Sequence, residues 1–461
     1  MIDAVVFALA LAGTAAAPAA VPAQEAPAPP VAAAPPADTP TGWSAAPIGA
    51  TVPATGAAAE GEPVGLGEVL RLVRERSPRS DVERARVGIA AAERTAARVH
   101  PNPELDFSST HLTSGTNTGA AEERAFVLGQ PLLIFGQLSE RKRAADLEVA
   151  AAQATTDAAI AERLRQARSA FTGLLAAQER VRILDEERTD LESVSHIVTG
   201  RAAAGDKSAY DALRIDLERR AREAELAAAR AEVREASGAL AILVGDPGWH
   251  PVATGELAPE GIDAHDEAAL WQAASEKLPA LLAVRRESEA ARAGIDLAKK
   301  ERLPVPVLQA GGQFTQDAAS DSFVAGLSFG LPVFDRGQGG IARASARSGA
   351  AELETAAITA ETRADLDRAL AVLRERRGAL DQLDRDVMGR LPDLRRMSED
   401  AYREGASDIL DLLDASRTRA AARQARLDAV EALVQSEIDV LALTGQVDRV
   451  GSATPVAPAV H

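Results

Sequence analysis

At 461 residues the chain is long enough for about three domains, yet its makeup already excludes several functional classes. A formal charge of −17 denies it the basic face that nucleic-acid phosphates demand, and with no cysteine it has no disulfide, no thiolate metal site and no lipid-anchor cysteine. Hydrophobic residues make up 46 % but aromatics only 3 %; much of the rest is alanine, which favours helix but supplies little apolar area per residue, so stability must come from many small contacts along an extended body.

Residues 1–23 carry an apolar core followed by small residues and read as a secretory signal, with Val21-Pro22-Ala23 as a loose cleavage site, although Asp3 stands where Lys or Arg is usual. Residues 24–63 are dominated by Ala, Pro, Gly and Thr and read as a linker that cannot bury a core. A first structural repeat then spans 64–250. Leu66, Val69, Leu70 and Val73 fall at helical spacing, Pro78 restarts the helix, and a second stretch runs to about Val99. Pro101 and Pro103 force the chain out of helix, after which Leu105 and Phe107 alternate with Asp106 and Ser108 as in a strand. A second strand from Arg124 ends at Pro131. From Gln137 to Val198 there is no proline, which predicts a helix of about 90 Å. Gly200 to Gly205 reverse the chain, and Ala209 to Val244 return as a helix packed on the first.

A second repeat, 251–447, follows the same plan about 200 residues on: Gly245 matches Gly445, Gly205 matches Gly405, and Pro131 with Gly136 matches Pro332 with Gly337. A short helix runs from Asp266 to Lys277, Pro279 stands where Pro78 stood, and the helix resumes to Leu303. The strands VLQAGGQFTQ and SFVAGLSFGL come next. A long helix covers Ile341 to Glu404, interrupted in propensity by Gly378, Gly389 and Pro392, and Ile409 to Thr444 return. Residues 448–461 read as a loose tail. No segment after the leader has 18 uninterrupted apolar residues, so none spans a membrane as a helix. Each strand has the length of a tilted transmembrane strand, but four cannot close a barrel, for which about eight is the minimum; three chains would supply twelve strands and twelve long helices.

With these pieces in order, the sequence closely resembles the TolC-like outer-membrane efflux proteins. The resemblance rests on the Pro-flanked strands HPNPELDF and LPVPVLQAGGQF, the corners QPLLIFGQ and GLPVFDRGQG, the turn REGASDILDLLDA, and the paired ends LVG and LTG, over residues 64 to 446. It implies a mainly α fold with a small β part: duplicated long helical hairpins plus four strands per chain, contributing to a trimeric 12-stranded β-barrel in the outer membrane and a periplasmic α-helical barrel. It implies a passive exit duct of a tripartite efflux system, working as a homotrimer with a periplasmic adaptor and an inner-membrane pump of the proton-driven resistance-nodulation-division type, in contact with outer-membrane lipid. The corner LPVFDRGQGGIARA is most similar to the heavy-metal branch (cobalt-zinc-cadmium or copper), so divalent cations are an expected substrate. A protein-secretion duct of type I is the alternative within transport, and a periplasmic coiled-coil scaffold the alternative outside it. Trp and Tyr are absent from the strands, where only Phe107, Phe126, Phe314, Phe323 and Phe329 are offered as a membrane girdle.

The resemblance also places a gate at the far turns: Asp211, Tyr402, Asp411 and Asp414, with Lys207 as basic partner in place of the residue that is Ser407 here. It makes Gly205, Ser208, Gly405 and Ser407 the adaptor-docking turns. Asp411 and Asp414 are three apart on a helix and so share a face; threefold symmetry would gather them into acidic rings that pass cations. The alternative reading is solvated acids favoured at helix starts by the dipole. The segment GRAAAGDKS fails as a phosphate loop, since Asp206 separates Gly205 from Lys207 and a helix, not a strand, precedes it. The six histidines are scattered, no fixed metal site or cofactor is implied, and no catalytic arrangement has motif context.

Overall fold

The computed structural model describes residues 61–115, 122–203, 209–315 and 321–449, so the expected signal, most of the linker and most of the tail lie outside the described residues. The first repeat runs β1 (Glu62–Val64), α1 (Leu66–Arg76), α2 (Pro78–Ala97), β2 (Glu104–His111), β3 (Glu122–Pro131), α3 (Gln137–Ala203) and α4 (Ala209–Val244). The second runs β4 (Pro251–Ala253), α5 (Glu267–Lys277), α6 (Pro279–Glu301), β5 (Val307–Thr315), β6 (Ser322–Ser328), α7 (Gln338–Asp386), a 3₁₀ turn (Met388–Arg390), α8 (Leu391–Arg403) and α9 (Ile409–Leu443).

Local chemistry sets the boundaries. Pro78 and Pro279 open α2 and α6, where a missing N–H costs nothing and the fixed φ suits the first turn. Gly245 and Gly445 end the return helices at φ +89° and +69°, which only glycine adopts without strain. Each also lies against a proline junction: a Cβ on Gly245 would collide with the Pro78 ring, and one on Gly445 would come within 2.8 Å of the Lys277 carbonyl oxygen. The repeat is therefore closed by the same two devices in both copies.

The copies differ in their long helices. With 67 residues, α3 is unbroken and about 100 Å long. Its counterpart breaks at Val387, and the chain resumes as α8 after one 3₁₀ turn. Pro392 is the cause, because it has no N–H to offer the carbonyl of residue 388 and its ring displaces that carbonyl; what the sequence presents as weak propensity is a real interruption.

Strands β2–β3–β5–β6 form one antiparallel sheet in that order. The register sets Leu105 opposite Leu128, Phe107 opposite Phe126, Leu308 opposite Leu327 and Gly312 opposite Phe323. One face thus carries Leu105, Phe107, Phe126, Leu128, Leu308, Phe314, Phe323 and Leu327, while Asp106, Ser108, Gln309 and Gln313 point the other way. Phe107 and Phe126 stack with centroids 4.8 Å apart, and Phe314 meets Phe126 edge-on at 6.4 Å. Among the described residues, no element packs over this apolar face: Phe323 is 77 % exposed and its neighbours are about half exposed. Among the described residues, β2 and β6 are edges without a second strand partner.

Below the sheet, α3 packs against α2, α4, α6 and α9, and α7 packs against α6 and α9. Each repeat has its own core. Val69, Val73, Leu164, Phe171, Leu174 and Leu240 fill the first, and Leu366, Leu370, Leu373, Val430, Leu433 and Val440 the second. The passage between repeats is tied to both. There β4 pairs in parallel with β1; the side-chain amide of Gln178 of α3 brackets the Ala253 backbone, accepting from its N–H (3.0 Å) and donating to its carbonyl (3.3 Å), and Ser237 of α4 donates to the Pro251 carbonyl. Further on, the buried Glu437 of α9 accepts from the N–H groups of Glu260, Gly261 and Ile262 and pairs with Arg377 at 3.2 Å. No helix among the described residues is long and apolar enough to cross a membrane.

Candidate channel tip

Both hairpins turn at the same end of the molecule, where Leu191, Val194 and Val198 of α3, Ile215 of α4, Tyr402 of α8 and Ile409, Leu412 and Leu413 of α9 form one buried cluster. The helices of the two hairpins are thus joined near this end within one chain by an apolar contact. In the second turn Gly405 adopts φ +76°, and the N–H groups of Ala406 and Ser407 both reach the Ala401 carbonyl (2.9 and 3.2 Å). Asp408 then caps α9, its carboxylate accepting from Leu410 N (2.8 Å) and Asp411 N (3.1 Å), and Asp411 reaches back to Asp408 N at 3.4 Å. This is a capping box with aspartate in both positions.

The expected gate residues fall into unlike environments. Tyr402 is completely buried in the cluster, and Asp211, in the first turn of α4, is buried as well. Asp411 and Asp414 are exposed, and Asp411 also serves the cap. Gly405 is exposed at the turn and Ser407 half-buried. Gly205, Lys207 and Ser208 lie outside the described residues, as does any pairing of Lys207.

A charged network binding the two hairpins lies behind the cluster. Asp190 of α3 accepts from Arg419 of α9 at 2.6 Å and pairs with Arg395 of α8 at 2.9 Å, with Arg423 at 4.0 Å. Arg395 also meets Glu399 at 2.9 Å. Burial holds the Arg419 guanidinium below its ordinary range, with Asp190 partly opposing the shift. One turn along α3, Glu187 is buried, its nearest cation is Arg222 at 3.7 Å, and neither carboxylate oxygen has a hydrogen-bond partner. Burial raises its pKa above the carboxylate norm, against the pull of Arg222, Arg423 and Arg419. Glu218 of α4 is held low by its hydrogen bonds to Arg417 of α9. These residues are not singled out by sequence motifs; the signal lay in the acid pair Glu187 and Asp190 at i, i+3 facing Arg419 and Arg423 at i, i+4, legible only once α3 and α9 are known to touch. Among the described residues, no three His, Asp or Glu side chains gather to hold a metal ion.

Comparison with known proteins bears on the fold and the family. The chain is 27 % identical over 328 residues, 71 % of its length and 77 % of the relative's, to the cobalt-zinc-cadmium resistance protein CzcC of Cupriavidus metallidurans. It is 25 % identical over 299 residues, 62 % of the chain and 65 % of the relative, to the nickel-cobalt-cadmium resistance protein NccC of Alcaligenes xylosoxydans xylosoxydans. Its fold matches the solved structures of CusC (TM-score 0.68, 18 % identity, 82 % of this chain and 92 % of that one) and of the outer membrane protein VceC of Vibrio cholerae (0.67, 18 %, 82 % and 96 %). Residues 69–246 and 270–446 each match the description OEP, Outer membrane efflux protein, one match per structural repeat. The chain, duplicated in sequence and in structure, therefore belongs to the outer membrane efflux protein family.

Proposed function

We propose that three copies of the chain close their sheets into a 12-stranded outer-membrane barrel that continues into a periplasmic helical duct, and that the duct passes divalent metal cations delivered by an adaptor and an inner-membrane pump of the resistance-nodulation-division type. The observation that carries this reading is the sheet, with its apolar side chains exposed on one face, polar side chains on the other, and two edges lacking a partner. Bilayer cannot satisfy open strand edges, whereas a closed barrel with an apolar exterior and polar lumen meets both conditions. A soluble scaffold gives no reason for such a sheet. Metal substrates are supported by the names of the two resistance relatives and by the exposed acids Asp411 and Asp414, which threefold symmetry would bring together. The chain itself contributes no chemical step in this reading; the pump supplies the work.

The test is electrical. Protein extracted from outer membranes in detergent and placed in planar bilayers is expected to conduct with cation preference and to be blocked by multivalent cations. Replacing Asp211, Asp411 and Asp414 by alanine should raise conductance where a closing contact is lost and weaken selectivity where ring charge is lost. Lys207→Ala should raise conductance and leave selectivity nearly intact. Parent-like conductance and selectivity in all four variants would move the gate elsewhere, and a monodisperse, detergent-free monomer would remove the duct.

A further inference from the structure

The chain carries 51 Lys and Arg against 68 Asp and Glu, but the balance inverts where helix meets sheet. Residues 88–103, 132–146, 292–306 and 329–347, which lead into and out of the four strands, hold twelve Lys and Arg and six Asp and Glu. The corners next to the sheet are apolar and bare: Ile134, Phe135, Leu331, Val333 and Phe334 are all exposed, the last at 93 %. Just below them α3 and α6 flank a hollow of about 700 Å³ lined by Ser139, Lys142, Arg143, Asp146, Arg292 and Asp296, among others. Two of its acids each serve two cations. Asp146 meets Arg98 at 2.9 Å and Arg94 at 3.9 Å, and Asp296 meets Arg143 and Lys299, both at 3.5 Å. Of the other acids nearby, Glu140 meets Arg143 at 3.5 Å, Glu289 is taken by Arg286 and Glu352 by Arg292. Lys142 pairs with no acid among the described residues, so cation is in excess at this seam.

Two features fix where the hollow faces. Packing runs α2 on α3, α3 on α6 and α6 on α7, so the seam between α3 and α6 lies inside one chain and not at its edge. Asp146 precedes Leu164 by 18 residues, which is five whole turns, and so shares its side of α3. Leu164 lies in one core with Val69 and Val73 of α1. In the duct reading α1 sits outside the ring of helices, because inside it would fill the lumen, and the hollow therefore faces outward too. We propose that this seam binds the phosphate of an anionic phospholipid in the leaflet around the lower rim of the sheet, with the apolar corners among its acyl chains and Lys142, Arg143 and Arg292 on its headgroup. The proposal rests on the duct reading. Depth agrees with it: Lys142 is six residues past Gly136, about 9 Å of helix, and the headgroup layer is about 5–7 Å deep on each side of a bilayer. A long basic side chain spans the difference. A zwitterionic lipid brings its own ammonium to the same cations and is the poorer fit.

The test counts lipid. The full chain, purified in detergent, is exchanged into micelles holding equal phosphatidylglycerol and phosphatidylethanolamine, and the lipid that the particle retains is read by native mass spectrometry. The parent should retain the anionic lipid at least tenfold over the zwitterionic one. One cation at such a surface is worth about fivefold, so Lys142→Gln, which breaks no ion pair, should lower the ratio by about that factor, and adding Arg143→Gln and Arg292→Gln should bring it near one. Arg220→Gln with Arg396→Gln, exposed cations of α4 and α8 toward the turn end of the hairpins, should leave the parent ratio unchanged. A particle that is trimeric by light scattering but shows no preference, loses it equally in the control pair, or gives up the lipid to inorganic phosphate alone overturns the lipid site and leaves the duct standing. A monodisperse monomer without detergent overturns both.

Discussion

Asp190→Ala removes one carboxylate from two hairpin-bridging arginines at once. The side chain of Arg419 is only 8 % exposed, and without Asp190 it is a buried cation facing Arg395 and Arg423. Removing one member of a buried ion pair costs about 3–5 kcal/mol. Asp190 keeps some contact with water and Arg395 can fall back on Glu399, so the lower end applies, about 3 kcal/mol. At 1.4 kcal/mol per decade this shifts the equilibrium for separating the hairpins by about 150-fold. The cost falls on local opening of the tip, since the cores around Leu174 and Leu370 are untouched. Hydrogen exchange of the detergent-solubilised protein, followed by mass spectrometry, should show peptides from 391–403 and 409–424 exchanging on the order of a hundredfold faster, with 155–175 unchanged. Adding Arg419→Leu should restore most of the protection, because replacing both buried charges by apolar groups is close to neutral. Unchanged exchange in Asp190→Ala, or no recovery in the double variant, would refute the network as the tie between hairpins.

Glu187 predicts a pH dependence of defined sign. Its pKa is raised by burial above the ordinary 4.5, so closure of the hairpins weakens as pH rises from that value through the folded-state pKa, and above it the penalty is complete. Glu187→Gln should therefore protect peptides around 181–192 more than the parent above that window and equally below it, after correction for intrinsic exchange; equal protection at every pH would count against a buried carboxylate without a hydrogen-bond partner. Gly245→Ala should destabilise by more than about 1 kcal/mol through its positive φ and the Pro78 contact, while Gly173→Ala, inside α3 with open space around it, should stabilise by about 0.5–1 kcal/mol; thermal melts of the two variants should move in opposite directions. Glu437→Ala strips three backbone N–H groups of their acceptor and should make the 255–265 segment the first site of limited proteolysis, where the parent is resistant.

The duplication, the strand pairs and the helical hairpins were legible because proline and glycine mark their ends: Pro78, Pro131, Gly245 and their counterparts act through local backbone geometry, which sequence reports directly. The break in α7 was visible only as weak propensity, since whether Pro392 bends a helix or ends it depends on packing. Strands β1 and β4 had no local signal. EPV and PVA are three residues each and contain proline, and they pair because Gln178, Ser237 and the Trp249 indole, which donates to Glu62, hold them in place. At the tip, the SDILD run announced a helix start, yet the division of labour between Asp408 and Asp411 emerged only from the coordinates. The Asp190–Arg419 pair was out of reach, because its members are 229 residues apart and each alone resembles a solvated helix charge.

Val64, Ala253 and Val447 belong to a single buried cluster, so the chain passes through one place three times: as it begins the first repeat, as it crosses to the second and as it leaves. Arg168 fixes the last passage by donating to the carbonyls of Val447 and Arg449. A unit whose two ends coincide can be copied head to tail without inventing a new connection, which is the condition a tandem gene duplication must meet. The same coincidence makes the molecule permutable. A chain opened near Gly255 and rejoined from 449 to 61 by a few residues keeps both cores, both tips and the sheet, with its new ends at the crossing point.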